Sequence, residues 1–223
     1  MVEEINAYLN QHKERIKKKI IKSLTNENLN LIIEAIKNNF DNKKPQSFQI
    51  FYYQTISNKE YFLSEKNFFG KFKQQYSLQG VDKKHLKILE ENKEEIFSLI
   101  KNNDLSSLYF RFFYNVSIQH GNNKITRNLG SFFAKLVHTF APDKYCALDT
   151  PIKKYFGLEK ESYYIALVII SCAYTEWANE NQILLKEIKS RISSITTTDL
   201  TKDMTNLKIL DLIFWHQANI ITQ

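Results

Sequence analysis

The chain of 223 residues is poor in the residues that punctuate a fold, with five glycines, three prolines and two cysteines. An all-β architecture needs many tight turns, so this shortage argues for long helices joined by short polar loops. The two cysteines, Cys146 and Cys172, are too few for a disulfide framework and lack CxxC spacing, which makes a reducing cytoplasm the expected compartment. Long apolar runs are missing as well. The longest, from Tyr163 to Tyr174, holds about twelve residues where a bilayer span needs about 20. The opening Met1-Val2-Glu3-Glu4 has neither the basic nor the apolar region of a signal peptide, and no membrane association is expected. His120, His138 and His216 lack metal-ligand spacing, and neither HExxH, a glycine-rich phosphate loop nor a GxSxG elbow occurs. Neither a metal nor a cofactor is expected.

What the chain does have is a large stock of core-forming residues: 43% are hydrophobic, with 16 Phe and 12 Tyr, enough to fill an interior and too many for a disordered chain. Its charge is +7, from 31 basic against 24 acidic residues, which favours a polyanionic partner, nucleic acid before an anionic membrane. A lysine- and asparagine-rich composition also follows from AT-rich coding sequence alone.

Apolar spacing predicts helices over most of the chain, and the fold class expected is all-α. Residues 2 to 24 read as an amphipathic helix with Lys17, Lys18, Lys19 and Lys22 on a basic face, and 27 to 40 as a second, ended by Asp41 to Pro45. The segment 47 to 56 suits a short strand or a buried helix, with helix preferred. Ser64 opens a helix reaching Tyr76, Asp82 caps one reaching Lys101, and Asp104 caps one whose aromatic face extends to Val116. Glu90, Glu91, Glu94 and Glu95 form a solvated acidic face. A loop at 120 to 124 separates this part from the rest, giving a single two-lobed domain with an N-terminal lobe of about 1–120 and a core of about 121–223. In the latter, 161 to 194 is one helix or two in line, Thr196 to Thr198 breaks it, and Asp199 or Asp203 starts a final helix on which Asp211 and Trp215 lie one turn apart.

The most informative stretch runs from Asn128 to Phe156. It reads as an apolar helix carrying Lys135 and His138, a loop with Pro142-Asp143-Lys144, and then Asp149-Thr150-Pro151 at the start of a short basic helix with Gly157 as its C-cap. Asp149 is well explained as a helix cap, Lys135 as a lysine reaching solvent along its apolar stem, and His138 as a satisfied core histidine.

Residues 127 to 158, and above all Ala147-Leu148-Asp149-Thr150-Pro151-Ile152-Lys153-Lys154-Tyr155-Phe156-Gly157-Leu158, resemble the core of the helix-hairpin-helix DNA glycosylase superfamily. Where that superfamily usually carries Leu-Pro-Gly-x-Gly, this chain has Arg127 to Ser131 with the single Gly130, and the nearest lysine, Lys135, falls nearly one turn later than usual. The resemblance implies a DNA glycosylase that excises a modified or damaged base. Lys135 would attack the sugar C1′ to form a Schiff base, Asp149 would stabilise the developing oxocarbenium, and His138 would give possible support. A pocket between Phe132, Phe133 and Phe140 would depress the lysine pKa. Lys124, Arg127, Gly130, Lys153 and Lys154 would contact DNA, with Lys17 to Lys19 as a competing basic patch. The alternative is a non-catalytic helical module binding nucleic acid or a protein partner, for example in a bacterial defence system.

Overall fold

A computed structural model describes residues 2–40, 51–56, 58–78, 80–120, 123–195 and 204–221. The described residues are mostly helical, 74% helix with one small two-stranded sheet among them. The elements are α1 (Val2–Ser23), α2 (Asn26–Phe40), a helical stretch α3 described over 51–55, α4 (Lys59–Ser64), α5 (Phe68–Gln75), α6 (Lys83–Glu91), α7 (Lys93–Lys101) and α8 (Leu105–Phe112). The strands β1 (Val116–His120) and β2 (Asn123–Arg127) follow, then α9 (Gly130–Phe140), α10 (Thr150–Tyr155), α11 (Tyr163–Glu180), α12 (Gln182–Ile195) and α13 (Asn206–Ile221).

Several boundaries differ from the sequence expectation for local reasons. Two helices stand here, α4 ending at Ser64 and α5 opening at Phe68, so Ser64 closes a helix where it was expected to open one. Asn58 caps the first by accepting from Tyr61 N at 2.9 Å, and Ser64 ends it by turning its hydroxyl back onto Glu60 O at 2.7 Å. The helix capped by Asp82 is interrupted at Asn92, which closes α6 and opens α7. Glu90 is not on a solvated face: it accepts from Phe69 N at 2.7 Å and pairs with the buried Lys93 at 2.6 Å, tying α5 to the α6–α7 junction. Val116 is strand and not helix, because α8 stops at Phe112 and Leu129 N bonds Phe113 O at 2.7 Å, turning the chain into the hairpin. The expectations at 41–50, at Thr196 to Thr198 and at Asp199 and Asp203 lie outside the described residues, and α13 is described from Asn206.

α11 packs against α1, α8, α9 and α13, and α13 also packs against α2, α10 and α12. Helices from before the hairpin thus lie directly on helices from after it. A chain of rings fills the other flank: Phe62 meets Phe68 at 4.7 Å and Phe140 at 4.7 Å between centroids, and Phe72 stacks on Phe132 at 5.3 Å. No described helix is long and apolar enough to cross a membrane.

Candidate active site

Lys135 sits in the middle of α9, whose neighbours Ala134 and Leu136 are buried, and it is itself half-buried. Its Nζ lies 5.5 Å from the centroid of the Tyr76 ring. Phe132, Phe133 and Phe140 do not converge on it as expected. Phe132 stacks on Phe72, Phe133 packs on Tyr109 at 4.9 Å and Phe140 on Phe62, so all three belong to the core and Tyr76 is the ring beside the amine. Burial lowers the Lys135 pKa, Asp149 and Asp211 pull it back up, and Lys208 pushes it down again.

Asp149 is the N-cap of α10, with Oδ1 accepting from Ile152 N at 3.2 Å and Pro151 in the first turn. Capping occupies only part of this carboxylate. Burial raises its pKa, and the Lys135 charge, the Ile152 N–H, a hydrogen bond from Trp215 and the Lys208 charge oppose that rise. Each of Lys135 and Asp149 therefore feels the other's charge in a shielded space. Beyond α10, Gly157 has φ +71 and donates to Lys154 O at 2.9 Å, while Leu158 N reaches Lys153 O at 3.0 Å, a left-handed C-terminal turn of the kind expected for glycine there.

His138 is fully buried, with Nδ1 at 2.7 Å from Tyr145 O and Nε2 at 2.9 Å from the Tyr52 hydroxyl. A carbonyl only accepts, so the proton sits on Nδ1 and Nε2 accepts from Tyr52. Burial pushes its pKa down to about 3, so the ring is neutral and both nitrogens are occupied. It braces the site and holds no free position for proton transfer.

The residues proposed to touch DNA divide. Lys124, Arg127 and Lys154 are exposed. Lys153 is turned inward: its amine donates to Glu159 O at 3.1 Å and to Glu161 O, and it lies 4.9 Å from the Tyr163 ring centroid. Gly130 opens α9 against Tyr163, where a Cβ would come within 2.4 Å of the ring, so its smallness serves helix packing. In the competing patch, Lys17 is paired with Glu180 at 2.7 Å and Glu176 at 3.7 Å, and Lys19 donates to Tyr155 O.

The sequence placed Asp211 and Trp215 one turn apart on the final helix, but not Lys208 and not the meeting of that helix with the site. Lys208 and Asp211 are both buried and form an ion pair of 3.0 Å, and Trp215 follows one turn later, where it favours the charged form of Asp149. The available signal was the spacing of Lys208, Asp211 and Trp215 on one helical face. Among the described residues no three His, Cys, Asp or Glu side chains gather as a metal site. No protein-family model, curated protein or solved structure matches the chain.

Proposed function

We propose that this protein is a DNA glycosylase-like enzyme that removes a modified or damaged base, with Lys135 as nucleophile and Asp149 as its electrostatic support. One observation carries the reading: a lysine whose charge is disfavoured by burial shares a shielded space with a carboxylate whose charge is disfavoured in the same way. A neutral lysine amine is a nucleophile, and desolvation is the usual means of obtaining one near neutral pH. The amine lone pair adds to the sugar C1′ as the glycosidic C–N bond breaks, and the base leaves with the bonding electrons and a proton. Asp149 lowers the energy of the cationic C1′ in between. The faces of Tyr76 and of the partly exposed Trp215 suit a nucleotide swung out of its stack. The exposed Lys124, Arg127 and Lys154 supply charge for the phosphate backbone.

The test is borohydride trapping on DNA strands that each carry one damaged or modified base. The wild type forms a covalent protein–DNA band on at least one of them, Lys135→Ala forms none, and Asp149→Asn forms it far more slowly while binding DNA equally well, because asparagine keeps the cap. Base release that survives both substitutions refutes the assignment.

A second reading, a non-catalytic nucleic-acid-binding module, is favoured by one feature: the element before Gly130 is a β-hairpin displaying Lys124 and Arg127, where the glycosylase superfamily has a helical hairpin. DNA binding without a trapped band on any substrate would select it.

A further inference from the structure

The site on α9 and α10 is closed by a third helix whose charges the glycosylase chemistry leaves unused. α13 packs against α10 and presents Lys208, Asp211 and Trp215 one turn apart in succession. The Lys208 amine reaches Asp211 Oδ2 at 3.0 Å with both side chains 7% exposed, and the same amine lies 5.0 Å from the Tyr52 ring centroid. Asp211 Oδ1 is buried and has no hydrogen-bond partner among the described residues. A buried ion pair stabilises a fold little better than an apolar pair of equal volume, so packing alone gives no reason for this one.

We propose that Asp211 is a positioning residue of the Lys135–Asp149 site, and that Asp211 and Lys208 together set the charge carried by the Lys135 amine through space. The proposal rests on the glycosylase reading for what the amine does, but not for how its charge is set. The carboxylate of Asp211 favours the Lys135 ammonium and the Lys208 ammonium disfavours it, so the two charges of the pair act on the amine in opposite senses. Burial pushes the Asp211 pKa up to about 6, against the pull of Lys208. When Asp211 takes up a proton on mild acidification, the push of Lys208 on Lys135 is no longer compensated, and the amine gives up its proton more readily. The site thus keeps a nucleophile at a lower pH than burial alone would allow.

The other groups facing this cluster are poor competitors for that proton. Tyr52, Tyr76, Tyr174 and Cys146 are all raised by burial and stay neutral, and His138 is pushed down to about 3. Asp149, the remaining charge, accepts from Ile152 N, and Ile152, Trp215 and the Lys135 charge all favour its ionised form.

The experiment needs no DNA. The full chain is treated with formaldehyde and cyanoborohydride across a pH series, and methylation of the peptide carrying Lys135 is followed by mass spectrometry, with Lys135→Ala as the blank. In D211N the pH of half-maximal labelling falls, because the carboxylate charge that favours the Lys135 ammonium is gone. In K208M it rises, by less, because Asp211 without its cation holds a proton to higher pH. Opposite shifts are the signature, since loosened packing would move both variants the same way. A D211N midpoint that stays or rises overturns the proposal. If D211N does not fold, K208M decides alone, and a midpoint that falls overturns it. Opposite shifts with no borohydride-trapped DNA would refute the glycosylase reading and leave this inference standing; trapped DNA with unshifted midpoints would do the reverse.

Discussion

The Tyr52 hydroxyl donates to Nε2 of His138 at 2.9 Å, and this bond joins the helical stretch at 51–55 to the helix that carries Lys135. The opposite nitrogen donates to the Tyr145 carbonyl, so one imidazole fixes α9 against α3 and against the loop leading to Asp149. Tyr52→Phe leaves a buried acceptor unpaired in a site closed to solvent. A loss of about 1–3 kcal/mol is expected in chemical denaturation, with DNA affinity unaffected. An unchanged midpoint would mean that the bond contributes nothing.

Acid should destabilise the fold well above the range where ordinary carboxylates titrate. Between pH 6 and 4 the unfolded chain protonates His138 and His216 from 6.5, whereas burial holds them at about 3 and about 4 in the folded chain. Asp211 acts in the opposite sense, since its folded value of about 6 exceeds the ordinary 3.8 and the folded chain takes up that proton first. Two protons favour the unfolded chain against one favouring the folded chain, and the lowered His85 and the raised Asp149 add one further contribution of each sense. Stability is therefore lost as pH falls through this window, by about 1 kcal/mol per unit. Urea denaturation at pH 6 and at pH 4.5 measures it, and equal stability at the two would show that the histidines are charged in the folded protein.

Gly130→Ala should unseat the start of α9. The new Cβ would lie 2.4 Å from the Tyr163 ring, and that ring is held in place by the 2.6 Å bond of its hydroxyl to Thr150. Overpacking of this kind costs about 1–3 kcal/mol. The displaced Tyr163 would carry Thr150 and the neighbouring Asp149 with it, so borohydride trapping should fall together with the melting temperature. A variant that melts as the wild type does would show that Tyr163 moves aside freely.

DNA affinity, measured against salt concentration, should separate the lysines by where their amines point. Charge reversal at Lys124 or Lys154, both exposed, should flatten the salt dependence by about one counterion each. Lys153→Ala should leave the slope alone and lower thermal stability, because that amine is bound to the carbonyls of Glu159 and Glu161. Reversal at Lys17, already paired with Glu176 and Glu180, should also leave the slope unchanged. A slope that responds to Lys153 or Lys17 and not to Lys124 or Lys154 would move the DNA to another face.

Local sequence was enough for the elements that carry Lys135 and Asp149. Apolar spacing marks α9, Asp149-Thr150-Pro151 marks the start of α10 and Gly157 its end, because caps and periodicity act within a few residues of chain. The same locality misled at Val116 and Ser64. An aromatic run continues past the point where Leu129 N draws the chain into a hairpin, and serine can end a helix as readily as begin one. That Lys153 turns inward while its neighbour Lys154 faces solvent depends on where the 159–161 carbonyls lie, which no spacing encodes. The site's charge was least legible of all. The charges of Lys208 and Asp211 reach Lys135 and Asp149 because α13 folds back onto α10, so that groups far apart in sequence act on one another in a shielded space.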